Sequence, residues 1–381
     1  MNKDQRKRSS GFSRAAALFS LLVLAGGAGQ YSAAAATADS NAGGAKFNAL
    51  VEAARKEANE NSTVLIRYPG MRDQALRMTE QALKKDFDID VSLVNDNKGF
   101  SESVITFIEE YNAGRPAPIL MYGSLSAIDP AAKRGVLRDD IDWGGVFGEK
   151  WPMIKQLDDG QAWPKIRGGC VNFIDVVYVI VYSKRLRDAD VPSSWNDLLK
   201  PHFQHNIGLS PTAIIPSFNR VVWGEEKTMD YTKKLKAQNI VWNEGGSAAL
   251  AGMVASGEIL AAVINVNYAE ARKKKGDPVD WNFAEDGLFY HSSPLCVPKN
   301  ASHPNLAALL VAYWASEGVG GPIGTAMGWS RITPDQQGVL GEKARARGLD
   351  VSKFVDRSSE EEQIAERQFR KEVGQALGTL K

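Results

Sequence analysis

Among 381 residues there are only two cysteines, Cys170 and Cys296, and four histidines. One disulfide is therefore the most the chain can form, and whether the two Cα atoms lie within bonding range is open at this level. Charge of one sign is also missing, since 46 Lys+Arg stand against 45 Asp+Glu for a formal net charge of +1. Such a balance excludes a global field for nucleic acid or an anionic membrane. After the first residues no apolar run is long enough to span a bilayer, and no short-period internal repeat occurs. With 44% hydrophobic residues the chain has the means to bury large cores, and its length favours two compact units over one.

What is present begins with a tripartite export signal. Lys3, Arg6, Lys7, Arg8 and Arg14 precede an apolar core from Ala15 to Ala25, followed by small residues in "YSAAAATADS". This segment, 1–36, reads as a signal peptide with cleavage after Ala36 or Ala38, which predicts that the remainder folds outside the cytoplasm.

Beyond the linker "SNAGGA" the chain alternates in rhythm. The amphipathic helix "FNALVEAARKEAN" is followed by the strand "TVLIRYPG", the helix "DQALRMTEQALKKDF" and the strand "VSLVN". Helix "SESVITFIEEYNAG", strand "PILMYG" and helix "SAIDPAAKRG" continue it. The succession predicts an α/β fold with a parallel sheet and crossover helices, in which ligands sit beyond the carboxyl ends of strands. The run "CVNFIDVVYVIVYS" is longer than one ordinary strand and predicts a bridge between two lobes; "LFYHSSPLCVP" predicts the return. Between them the pattern restarts with "SWNDLLK", "NIGLS", "SFNRVVWGEEKTMDYTKKLK", "NIVW", "SAALAGMVASG" and "EILAAVINV".

The segments "VYSKRLRDADVPSSWNDLLKPHFQHNIGLS" and "SPLCVPKNASHPNLAALLVAYWASEGVGGPIG" resemble bacterial extracellular solute-binding proteins of ABC importers. The resemblance covers the order of elements from Phe47 to about Arg331, and is nearest to the branch for iron and small polar solutes. It implies a two-lobed, type II periplasmic-binding-protein fold with hinge strands. Lobe 1 would comprise 45–178 with 296–330, and lobe 2 182–291 with 332–381. It further implies a monomer without a cofactor or enzymatic activity, whose partners are a small solute and the membrane permease. Ferric binders of the family place two adjacent tyrosines after the strand that here ends at Val266; this chain has Asn267-Tyr268-Ala269, with one.

Candidate ligand residues follow from strand ends and helix starts. Asn265, Asn267 and Tyr268 offer two amides and a phenol, with helix capping as the alternative role for either Asn. Tyr68, Gly70, Ser124, Ser126 and Thr212 mark helix starts whose free N–H groups can meet an anion, although such starts also need caps. Arg72 and Arg331 can supply a bidentate fork for a carboxylate or phosphonate, as can Arg67, and Trp329 can wall a cleft or simply pack. Lys273-Lys274-Lys275 reads as a solvated helix end. The expected solute is a small polar organic anion, with a ferric ion held through Tyr268 as the alternative.

Other chemistries leave weaker traces. Gly245-Gly246-Ser247-Ala248-Ala249 lacks the final Gly of a hydrolase nucleophile elbow, and only His291 and His303 follow in triad order. A secreted serine hydrolase using Ser247 is the rival from another class, while Ser247 as a helix cap explains the same residues. His202-x-x-His205 and the alternating Asp86, Asp88 and Asp90 lack the accompanying residues of zinc and calcium sites.

Overall fold

A computed structural model describes the backbone of residues 30–161, 163–211, 215–332 and 335–379. The compact body comprises Ala42–Lys381. Most of the expected signal peptide, and Thr212, therefore lie outside the described residues.

Helix α1 (Gln30–Glu60) leads into β1 (Thr63–Ile66), where Val64 and Ile66 alternate inward and Thr63 and Leu65 outward. Helix α2 (Asp73–Phe87) buries Ala75, Leu76, Thr79, Leu83 and Phe87, a helical stripe, with Asp73 in its first turn and Lys84 and Lys85 in its last. It stops where Asp88 turns left-handed at φ 52° and donates its N–H to the carbonyls of Leu83 and Lys84. β2 (Ser92–Asn95) pairs in parallel with β1. Then come α3 (Phe100–Asn112), β3 (Met121–Tyr122), α4 (Leu125–Lys133), α5 (Trp143–Phe147) and α6 (Pro152–Asp159).

The expected long bridging strand is two strands, β4 (Cys170–Val176) and β5 (Tyr178–Ser183), interrupted at Val177. The Val177 carbonyl turns away to accept from Val266 N–H. After β6 (Ile207–Leu209), the expected 20-residue helix is broken into α7 (Arg220–Trp223) and α8 (Glu225–Lys236), because Gly224 between them sits at φ 79°. The chain continues through β7 (Val241–Trp242), α9 (Gly246–Ser256), β8 (Ala261–Asn265), α10 (Val266–Lys274), β9 (Val279–Asn282), β10 (Phe289–Cys296) and α11 (Pro304–Tyr313). A π-helical turn, Trp314–Gly318, leads to α12 (Pro322–Met327), α13 (Gly338–Ala346), β11 (Val355–Asp356) and α14 (Glu360–Leu377).

The sheets are mixed rather than purely parallel. β7-β6-β8-β5-β9 is one sheet in which β6 runs parallel to β7 and β8, and β5 antiparallel to β8 and β9. In a second, β10 pairs antiparallel with β3 and β4 and parallel with β11, while β1 and β2 form a separate two-stranded parallel sheet. A strand that enters a lobe and one that leaves it must run oppositely, which is why the crossing strands break the parallel rule.

Two lobes result. Val64, Ile66, Leu83, Phe173, Leu295, Leu309 and Trp314 share one core with residues up to Trp329. Val179, Leu250, Ile264 and Trp281 share another with Ile332, Leu340 and Phe354. β10 passes between them, with Phe289 packed among lobe 2 side chains and Leu295 among those of lobe 1. Its ladder slips between Ser293 and Pro294, where Pro lacks an N–H. Cys170 and Cys296 face each other across β4 and β10 and are joined by a disulfide, with Cα atoms 4.0 Å apart. Closing a 126-residue separation stabilises the fold by about 4–5 kcal/mol in the chain-entropy account.

Candidate functional site

The segments that join the lobes run side by side. The Asp175 N–H of β4 donates to the Ser330 carbonyl at 3.0 Å, and Asp175 Oδ2 accepts from the Ile332 N–H at 2.8 Å. Side chains on the inner face of these crossings are thus held between two rigid bodies.

Tyr68, just past β1, lies flat on Tyr122 at the end of β3, with ring centroids 4.4 Å apart and planes at 11°. Phe173 and Trp314 meet Tyr68 edge-on, and Trp329 Nε1–H donates to the Tyr68 hydroxyl at 2.8 Å. Tyr122 hydrogen-bonds with Ser293 of β10 and with Tyr68. Burial holds both phenols protonated, pushing Tyr68 well above the ordinary tyrosine value and Tyr122 up to about 12. Tyr268, in the first turn of α10, is 45% exposed and lies within electrostatic range of Tyr122 in lobe 1 and Tyr178 in lobe 2. Burial raises the Tyr178 phenol as well. Phenols from both lobes thus lie within electrostatic range of one another.

The amides beside them divide their roles. Asn265 caps α10, its Oδ1 accepting from the Asn267 N–H at 3.0 Å, so the capping alternative holds for that residue. Asn267 approaches Gly328 of lobe 1: a Cβ added there would lie 3.5 Å from Asn267 Oδ1, on a backbone at φ 77° that disfavours any side chain. Further along α10, Lys274 Nζ donates to the Thr325 carbonyl of α12 at 2.9 Å. α10 thus touches α12 and the residue that follows it.

Several expected ligand residues are committed elsewhere. Arg331 is 1% exposed; it makes a two-pronged ion pair with Asp335, at 3.0 and 2.8 Å, and its Nη1 donates to the carbonyls of Phe173 and Ala315. Its donors are spent inside the protein. Arg67 is likewise buried, held by Asp96 and Glu110 over the Phe107 ring. Arg72 is exposed, but its guanidinium donates to the Ala326 carbonyl. Trp329 is 2% exposed and packs on Phe173 and Trp314, so it belongs to the core behind Tyr68 rather than to an open wall. Gly70, at φ 77°, gives its N–H to Asn97 Oδ1. Ser124 caps α4 by accepting from the Ala127 N–H and lies 3.2 Å from the Ser126 hydroxyl.

Tyr178, Ser293 and Arg357 were not among the sequence candidates, and His291 was named only as a possible triad member and not as a solute residue. His291 and Ser293 follow from two-residue alternation along "LFYHSSPLCVP", a signal available in the sequence. Arg357 carries no such signal. The rival sites find no support: Ser247 Oγ accepts from the Asn265 N–H at 3.3 Å, while His303 bonds Ser302 and Asn61 and His291 bonds Arg357. Among the described residues no group of His, Cys, Asp or Glu is arranged to hold a metal.

Residues 79–319 match the family described as bacterial extracellular solute-binding proteins. The chain belongs to that family. Solved structures agree on the fold of this solute-binding protein. Iron-bound HitA from Pseudomonas aeruginosa is similar with a TM-score of 0.59 at 18% identity, over 82% of this chain and 99% of that one. The substrate-binding protein of an ABC transporter from Agrobacterium tumefaciens gives 0.63 at 14%, over 84% and 96%. The spermidine/putrescine ABC transporter substrate-binding protein PotD from Streptococcus pneumoniae gives 0.55 at 13%, over 82% and 100%. No curated protein matches the chain in sequence. Among the described residues no helix is long and apolar enough to cross a membrane.

Proposed function

We propose that this solute-binding protein captures a small organic solute bearing an oxyanion between its lobes and delivers it to the permease of an ABC importer in the periplasm. The observation that carries the reading is the chemistry of the gathered side chains. Tyr268 lies within electrostatic range of Tyr122 and Tyr178, Ser293 hydrogen-bonds Tyr122, and His291 shares a face of β10 with Ser293, a set of hydroxyls and an imidazole. A cationic solute such as a polyamine needs acidic partners, whereas oxygen atoms of an anion are matched by oriented neutral donors. Arg331 and Arg357 are both paired with buried carboxylates, Asp335 and Glu366, so neutral donors carry the recognition in this reading. Capture works by differential affinity: a solute that contacts both lobes favours the closed form, and the permease recognises that form.

The test is a thermal-shift panel on residues 37–381 with carboxylates, phosphonates, amino acids, polyamines and ferric salt. A ligand at 100 times its Kd adds about 2.7 kcal/mol to stability. A shift confined to anions supports the reading, and a shift confined to polyamines overturns it. A second reading, ferric ion as cargo, is favoured by Tyr122 and Tyr178 flanking Tyr268, because hard phenolate oxygens suit that ion. Ferric phenolates absorb in the visible range, so a protein that stays colourless with ferric salt removes it.

A further inference from the structure

His291 sits on β10 two residues before Ser293, and in a strand such residues share a face. That face carries the Ser293–Tyr122 hydrogen bond, so the imidazole lies on the same side of β10 as that contact. Its Nδ1 is 2.9 Å from Arg357 Nη1. A guanidinium has only donors, so Nδ1 accepts, and a neutral ring whose Nδ1 accepts carries its proton on Nε2. Among the described residues Nε2 has no hydrogen-bond partner, and the ring is half-buried. Arg357 in turn is 4% exposed and fixed, with its guanidinium 3.8 Å over the Phe218 ring and Nη2 on Glu366.

We propose that Arg357 locks His291 as a neutral Nε2–H donor, and that this fixed donor is a specificity determinant of the cleft, reading an oxygen of the bound solute. The role rests on the small-anion reading given above. His291 touches the solute; Arg357 is a positioning residue that acts through it. The groups around the ring are Arg357, Glu366 of α14, Tyr178 of β5 and, from α14, Arg370, which acts on Tyr178; Asp175 of β4 and Asp356 of β11 line the opposite face of β10 with Ser292 and Tyr290. Burial first, and then the Arg357 charge, keep the imidazole well below its ordinary value, in keeping with the lock. A cleft so built binds its anion with the same affinity across the range where a free histidine titrates. Specificity then depends on shape and acceptor position, not on ambient pH.

Histidine-selective nitrogen NMR on the whole mature protein tests the lock without a ligand, with His291→Phe assigning the resonance. Wild-type protein is expected to show unprotonated Nδ1 and protonated Nε2, unchanged from about pH 8 to about 5.5. In the double variant Arg357→Met/Glu366→Gln, which removes both buried charges together, the ring's titration is expected to move up toward the ordinary value while staying below it, because burial remains, and the Nδ1/Nε2 tautomer preference is expected to be lost. A wild-type ring that titrates near that value, or that carries its proton on Nδ1, overturns the lock. For the donor role the probes are inorganic phosphate and citrate, read by thermal shift. Loss of one hydrogen bond to a charged ligand in His291→Phe is expected to weaken binding on the order of tenfold or more. A shift that persists undiminished in His291→Phe overturns the donor role. No shift in wild-type protein with either probe counts against the small-anion reading itself, while the nitrogen signals still decide the lock.

Discussion

Replacing Arg331 by Met separates a binding arginine from a structural one. The guanidinium closes two bonds with Asp335 and two with backbone carbonyls, and the carboxylate partner is itself only 13% exposed. The Ala315 carbonyl is available because it lies in the π-helical turn Trp314–Gly318, where the regular i to i−4 ladder is interrupted. Removing the cation leaves Asp335 without its charge partner and two carbonyls without donors, a loss of about 3–5 kcal/mol for a broken buried pair. With a urea slope of about 3 kcal/mol per molar, the unfolding midpoint falls by roughly 1–1.7 M. Most of that loss is recovered in Arg331→Met/Asp335→Leu, because an apolar pair of similar volume restores packing without a stranded charge. The assay is urea unfolding followed by tryptophan fluorescence, alongside solute affinity measured well below the transition. Wild-type stability in Arg331→Met combined with lost solute binding would refute the assignment and return Arg331 to the ligand site.

Three further outcomes are expected. Cys170→Ser/Cys296→Ser lowers stability by about 4–5 kcal/mol, seen as a lower calorimetric Tm that added reductant no longer changes, because the disulfide bridges a 126-residue separation. Tyr68→Phe strands the buried Trp329 Nε1–H and costs about 1–3 kcal/mol in chemical unfolding, with little change in ring stacking on Tyr122. For His291 the folded value is depressed, so the unfolded chain binds its proton first: the contribution is fully present above about pH 6.5 and is lost as pH falls toward the folded value, at up to about 1.4 kcal/mol per pH unit. His291→Phe is expected to flatten that part of the stability profile, and an unchanged slope would place the titration elsewhere.

The sequence alone determined the elements and the family. Apolar periodicity marked α2, β2 and α9 nearly to the residue and β8 within a longer run, and "CVNFIDVVYVIVYS" and "LFYHSSPLCVP" announced the crossing strands, because local periodicity follows from which face must be buried. Tyr268 was legible as a phenol after a strand end, and Ser124 and Asn265 as helix caps. Tertiary structure decided the rest. Whether an arginine faces a solute or a carboxylate depends on what the fold brings opposite it, and Asp335 lies four residues beyond Arg331, in a segment with no periodic signal. The disulfide needed the antiparallel register of β4 and β10 to bring together cysteines 126 residues apart. His291 became a locked donor only when the chain returned from β11 to set Arg357 against its Nδ1. The disulfide and the His291–Arg357 contact join segments remote in sequence, and single-chain patterning encodes the faces of elements but not their partners.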